Sequence, residues 1–122
     1  MRKTLCIIED DPDMRFLIRA ALRAEERLET SAEADNIDDA LMKVRTHQPD
    51  LIILDHFIHG PIMGLQAAPL LHDAAPKAKI LLFTSHDLTV EVAREPAIDH
   101  YLRKGDIEQL LAAVVQLLEL PH

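Results

Sequence analysis

Short, continuous apolar runs alternate along this chain with segments whose apolar residues recur at helical spacing. Leu5-Cys6-Ile7-Ile8 is a run of four that ends in Glu9-Asp10. Such runs fit strands buried on both faces. Asp11-Pro12 comes next. Proline suits the first helical position and aspartate the cap before it. A helix is therefore predicted from Pro12 to about Ala24, with Met14, Leu17, Ile18, Ala21 and Leu22 on its apolar stripe and Phe16 off it. Leu28 to Ala32 is a weaker second strand. Asn36 is expected to cap a helix through Ile37, Ala40, Leu41 and Val44, which His47-Gln48-Pro49 breaks. Leu51-Ile52-Ile53-Leu54 is the strongest strand and ends at Asp55, followed by a loop from His56 to Gly64. A third helix lies near Leu65 to Asp73. It contains Pro69, so it either starts late with Pro69 in its first turn or is kinked. Ile80-Leu81-Leu82-Phe83 is a fourth strand ending at Thr84-Ser85, and a short helix from Leu88 to Arg94 is cut off by Pro96. His100 to Arg103 is a fifth strand, ending at Lys104-Gly105. Asp106 is expected to cap a last amphipathic helix through Ile107, Leu110, Leu111, Val114, Leu117 and Leu118.

Strand and helix thus alternate five times. That order predicts an α/β fold, a five-stranded parallel sheet with helices on both faces. In such sheets ligands bind at the carboxyl ends of strands, where the strand order switches. The length of 122 residues suits a single domain, residues 1–122. Aromatic residues are only 3 %, so the core must be aliphatic. The net charge of −8 argues against direct binding to nucleic acid or an anionic membrane, and leaves carboxylates free for a divalent cation. Cys6 is the only cysteine, which excludes an intrachain disulfide and fits a small core residue in a reducing compartment. Met1-Arg2-Lys3-Thr4 leads into only four apolar residues, too short for a signal peptide or a membrane span. A cytoplasmic location is expected.

The chemistry lies at the strand ends. Glu9-Asp10 follow the first strand, Asp55 the third, Thr84-Ser85 the fourth and Lys104 the fifth. A parallel sheet puts all of them on one edge. Three converging carboxylates repel one another unless a cation intervenes. Mg²⁺ suits them, since it takes oxygen ligands from one or two carboxylates, phosphate and water. Asp55 then reads as a carboxylate nucleophile for a phosphoryl group. Lys104 supplies a point positive charge and the Thr84 hydroxyl a hydrogen bond to phosphoryl oxygens. Ser85 is small enough to leave an entry. Pro12 at the first helical position makes Asp11 the cap, which leaves Glu9 and Asp10 for the site.

Four stretches carry a family likeness: Ile7-Ile8-Glu9-Asp10-Asp11-Pro12-Asp13-Met14-Arg15, Pro49-Asp50-Leu51-Ile52-Ile53-Leu54-Asp55, Ile80-Leu81-Leu82-Phe83-Thr84-Ser85 and Tyr101-Leu102-Arg103-Lys104. In this order and spacing the chain resembles a response-regulator receiver domain of two-component signalling. The resemblance implies a flavodoxin-like (βα)5 fold. It implies that Asp55 accepts a phosphoryl group from a histidine kinase or phosphotransfer protein with Mg²⁺, and that the domain catalyses only its own phosphorylation and dephosphorylation. It implies Asp10 and Asp55 as direct metal ligands, Glu9 acting through water, and the backbone carbonyl of Phe57 as a further ligand. It also implies a switch in which Thr84 moves toward the phosphoryl group and Tyr101 turns inward. Relatives often bind partners or dimerise through the fourth helix, fifth strand and fifth helix, so a homodimer through that face is a candidate, beside an unknown output protein or domain.

Three features depart from the family pattern. The loop after Asp55 has His59 where proline is usual, and its Gly64 comes one residue late, which implies an insertion. Gly105 replaces the usual proline after Lys104, and Ala97 stands where a helix-ending glycine is common. Phe57 and His86 are expected to flank the path of an attacking water, with Phe57 shielding the acyl phosphate. Seven histidines are present, and His56, His59 and His86 would lie near the site. Their spacing matches no zinc pattern, which favours solvated loop histidines. The reading from another class is a pseudo-receiver, a scaffold that binds partners without phosphorylation. A hydrolase would need a substrate-covering cap, for which the chain has no room. The chain stops two residues after the last predicted helix, so it is expected to be a stand-alone receiver, a phosphate sink or relay, or a receiver excised from its effector.

Overall fold

The computed structural model describes residues 2–121; Met1 and His122 lie outside it. Five strands, β1 (Lys3–Ile8), β2 (Leu28–Ala34), β3 (Leu51–Leu54), β4 (Lys79–Thr84) and β5 (His100–Arg103), form one sheet in the order β2-β1-β3-β4-β5. Every neighbouring pair is parallel. The helices are α1 (Pro12–Leu22), α2 (Ile37–His47), α3 (Gly64–Ala74), α4 (Thr89–Ala93) and α5 (Leu110–Leu117). The chain runs outward from β1 to β2, then returns to the other side of β1 for β3. The strand order therefore reverses between β1 and β3, where Glu9-Asp10 and Asp55 emerge.

The strands alternate two apolar faces, as their period of two requires. Cys6, Ile8, Ile52, Leu54, Ile80 and Leu82 pack against α2 and α3 on one side. Leu5, Ile7, Leu51, Ile53, Leu81 and Phe83 pack against α1 and α5 on the other. All four residues of β3 are buried, which accounts for its unbroken apolar run. Cys6 is fully buried, and burial pushes its thiol up to about 12, as expected of a core residue.

The caps follow the sequence. Asp11 accepts the Asp13 N–H at 3.0 Å and Asn36 accepts the Asp39 N–H at 2.8 Å. Gln48 ends α2 in the left-handed conformation. Several boundaries differ from expectation. Leu17 is 47 % exposed, because α1 meets the sheet only through a stripe centred on Ile18 and Leu22. The second strand continues to Ala34 alongside the full length of β1. The third helix does not start late. It begins at Gly64 and runs through Pro69, whose exposed position puts the missing N–H on the solvent side. Asp106 does not cap the last helix. It sits with φ −104° and ψ 33° inside a 3-10 segment, Lys104–Gln109, that precedes α5. Lys104 has to turn back toward the sheet edge as the chain leaves β5, and the tighter segment makes that turn. No cis peptide occurs among the described residues, Lys104–Gly105 included.

Candidate functional site

The last hydrogen bonds of the sheet hold the acidic side of the site. The Glu9 N–H donates to the Ala34 carbonyl at 3.0 Å, and the Asp55 N–H donates to the Ile8 carbonyl at 3.0 Å. One carboxylate oxygen from each of Glu9, Asp10 and Asp55 lies within 4.8 Å of the other two, at the strand ends where the sequence put them. Asp11 points elsewhere, into its cap, while its N–H donates to Glu9 Oε2 at 3.2 Å. Lys104 reaches across from the end of β5. Its Nζ lies 2.7 Å from Glu9 Oε1 and 3.2 Å from Asp55 Oδ2. The approach to Oε1 is off the hydrogen-bonding direction, so this contact is an ion pair without a directed hydrogen bond.

Among the described residues only three polar side chains are buried: Glu9, Asp55 and Thr84. A buried polar group is costly unless paired, and these three stand together at one sheet edge. The Thr84 hydroxyl is fully buried and has no hydrogen-bond partner. Burial, with the Asp55 charge behind it, raises the Glu9 pKa to about 7, against the pull of Lys104 and the Asp11 N–H. Burial works against the Lys104 ammonium, but the carboxylates of Glu9 and Asp55 outweigh it and its pKa rises. The two directions are compatible. One ammonium cannot neutralise two buried carboxylates, so the ion pair persists while one acid tends to retain a proton. A divalent cation would remove that deficit, and three carboxylates are a fitting oxygen donor set for it.

The loop after Asp55 is built around its backbone. A Cβ at Gly64 would run into the Asp55 carbonyl oxygen, so only glycine lets α3 start so close to β3. The Gly64 N–H donates to the His56 carbonyl at 2.7 Å, and the Leu65 N–H donates to His56 Nδ1 at 3.2 Å. Burial holds the His56 pKa below the usual histidine range, in keeping with a neutral ring that accepts at Nδ1. Gly60, at φ 140°, turns the loop, and His59 bridges to Asn36 at the start of α2. The departure seen in the sequence therefore lengthens the loop across the end of β1, where His59 Nε2 stands 3.6 Å from Asp10 Oδ2. His56, His59 and His86 do not join the acidic cluster; among the described residues it consists of Glu9, Asp10 and Asp55.

The other side of the site is assembled differently. Ser85 and His86 are exposed. The His86 ring lies 4.3 Å from that of Phe57, which also meets His56 edge-on at 4.8 Å, so the Asp55 and Thr84 loops touch through aromatic rings. Tyr101 is half-buried; its hydroxyl donates to the His86 carbonyl at 2.6 Å and accepts the Leu88 N–H at 2.9 Å. Arg103 donates from Nε and Nη2 to the Ser85 carbonyl at 3.2 and 2.9 Å. The sequence pattern does not single out Arg103. Its one signal is the spacing of two from Tyr101, which puts both side chains on the same face of β5.

The family model for the response regulator receiver domain matches residues 5–115. The oxygen regulatory protein NreC of Staphylococcus haemolyticus is 31 % identical over 113 residues, covering 90 % of this chain and 52 % of NreC. The transcriptional regulatory protein LnrK of Bacillus subtilis is 28 % identical over 114 residues, covering 89 % of this chain and 51 % of LnrK. The chain therefore spans about half the length of the curated relatives it matches. A LuxR-family two-component response regulator from Aurantimonas shares the fold, with a TM-score of 0.87 at 22 % identity over 98 % of this chain and 86 % of that one.

Proposed function

We propose a phosphorylation-dependent signalling switch for this chain, which belongs to the response regulator receiver domain family. Asp55 is the acceptor. Its carboxylate oxygen attacks phosphorus in a phosphohistidine of a histidine kinase or phosphotransfer protein. An O–P bond forms, the P–N bond breaks with its electron pair returning to the ring nitrogen, and the imidazole, already protonated on its other nitrogen, leaves neutral. Asp10 and Asp55 would hold Mg²⁺ directly, with Glu9 acting through water and the Phe57 carbonyl completing the protein ligands. Bound there, the ion would supply positive charge against the repulsion of the acids and the incoming phosphoryl group. Lys104, already 3.2 Å from Asp55, offers its ammonium to the transferred group. The observation that carries this reading is the unpartnered, fully buried Thr84 hydroxyl at the same sheet edge as buried Asp55 and Glu9. A donor kept without an acceptor in that place suits an oxygen that arrives with the phosphoryl group.

Thr84 moving to that oxygen and Tyr101 turning inward would transmit the change to α4, β5 and α5, the face proposed to meet an output partner or a second copy. The domain would span residues 1–122 in the cytoplasm and catalyse only its own phosphorylation and dephosphorylation. Its output would come through a partner or through a linked domain of the kind that makes its relatives longer. Ser85 leaves the entry open, while Phe57 and His86 flank it.

Incubation with Mg²⁺ and acetyl phosphate, followed by intact mass measurement, tests the reading. One added phosphoryl group is expected, and none in Asp55→Asn. The extended loop that brings His59 to Asp10 favours the second reading, a scaffold that never takes phosphate. No adduct from either a small donor or a cognate kinase would establish it. Phe57→Asn should shorten the lifetime of the acyl phosphate; unchanged or slower decay would remove the shielding role.

A further inference from the structure

Arg15 leaves α1 in the direction of the site without touching an acidic side chain there. Its Nη1 donates to the backbone carbonyl of Glu9 at 2.7 Å. That carbonyl belongs to the rigid peptide joining Glu9 to Asp10, so its orientation fixes the plane from which the Asp10 side chain departs. The other Glu9 groups are also held: the N–H by the Ala34 carbonyl, Oε2 by the Asp11 N–H, and Oε1 by Lys104. Arg15 is anchored in turn. Its Nε lies 3.3 Å from Glu33 Oε1, which also binds Arg19. The Glu33 carbonyl accepts from Lys43 Nζ at 2.6 Å, and Lys43 pairs with Asp39 at 2.7 Å on α2.

We propose that Arg15 is a positioning residue for the divalent cation, holding the Glu9–Asp10 peptide so that the acidic side chains converge; this rests on the metal-dependent reading above. The sign of its effect separates this role from simple charge. A guanidinium near the site repels a cation, so removing the charge alone would tighten Mg²⁺ binding. Removing a residue that orients the ligands weakens it, typically by about tenfold or more for groups behind the ligands.

The test titrates the full chain with Mg²⁺ by calorimetry, in wild type, Arg15→Gln, Arg15→Lys and Arg19→Gln. Arg15→Gln and Arg15→Lys are expected to weaken binding about tenfold, since lysine keeps the charge but not the planar fork that serves Glu9 and Glu33 together. Arg19→Gln is expected to bind like wild type, because Arg19 meets Glu33 but not Glu9. Thermal unfolding without Mg²⁺ should show similar small losses for all three variants. Unchanged or tighter binding in Arg15→Gln, or equal weakening in Arg19→Gln, overturns the proposal. Wild type that neither binds Mg²⁺ nor takes a phosphoryl group would instead overturn the functional reading on which it rests.

Discussion

The two halves of the site are held with very different firmness. At β1 and β3, the backbone N–H, the carbonyl and Oε2 of Glu9 are hydrogen-bonded and Oε1 is ion-paired to Lys104, Asp55 continues the sheet ladder, and the loop after it is fitted so closely that Gly64 has no room for a Cβ. At β4 and β5, the Thr84 hydroxyl has no partner, and α4 is five residues long with no buried side chain, its first N–H bonded to the exposed Asp87 side chain at 3.1 Å. What holds that loop is a pair of exposed-side anchors, Tyr101 and Arg103, on the backbone at Ser85, His86 and Leu88. The difference suits a switch. The half that would bind cation and phosphate is organised in advance, while the half that would respond is held by few contacts.

The strongest way to break this contrast is to disturb the fitted half. Gly64→Ala forces a Cβ against the Asp55 carbonyl oxygen. Relief must come from moving the backbone, so a loss of about 3 kcal/mol or more is expected in urea unfolding, together with loss of phosphoryl uptake. Retained stability and uptake would show that the acceptor loop is not closely fitted.

A second prediction sharpens it electrostatically. Glu9 has a pKa of about 7 in the fold against an ordinary 4.5. The folded state therefore binds more protons than the unfolded chain between those values. Stability from this group is present below about pH 4.5 and is lost as pH rises through about 7, by about 3 kcal/mol without Mg²⁺. Glu9→Gln should flatten that slope, and Mg²⁺ should do so in wild type. An identical pH profile in Glu9→Gln would mean that another group carries the dependence.

The smallest effect is expected on the loose half. Tyr101→Phe removes the hydroxyl bonds to His86 and Leu88. Global stability should fall by about 1 kcal/mol or less, but hydrogen exchange at the Leu88 amide and through α4 should accelerate markedly. A large global loss with unchanged exchange in α4 would erase the distinction between the halves.

Much of this was legible beforehand, for identifiable reasons. Buried parallel strands leave apolar runs that end where the sheet ends, so Glu9, Asp10, Asp55, Thr84 and Lys104 could be placed on one edge. Asp11 could be set aside because a proline marks the helix start. Other features depended on packing that no local pattern encodes. Leu17 fits a helical stripe, yet α1 touches the sheet too narrowly to bury it. Pro69 looks like a boundary, but its solvent side lets α3 continue. Asp106 has the chemistry of a cap, and the inward turn of Lys104 takes it out of position.

The sequence by itself determined the strand order class, the residues at the strand ends and the family, because each depends on periodicity and spacing along one chain. Only the tertiary structure decided how those residues meet. Lys104 bridging Glu9 and Asp55, Thr84 left without a partner, Arg15 behind the Glu9 peptide and His59 beside Asp10 are contacts between separate elements. Their distances follow from how strands and helices pack in three dimensions, and the order of residues carries no measure of that.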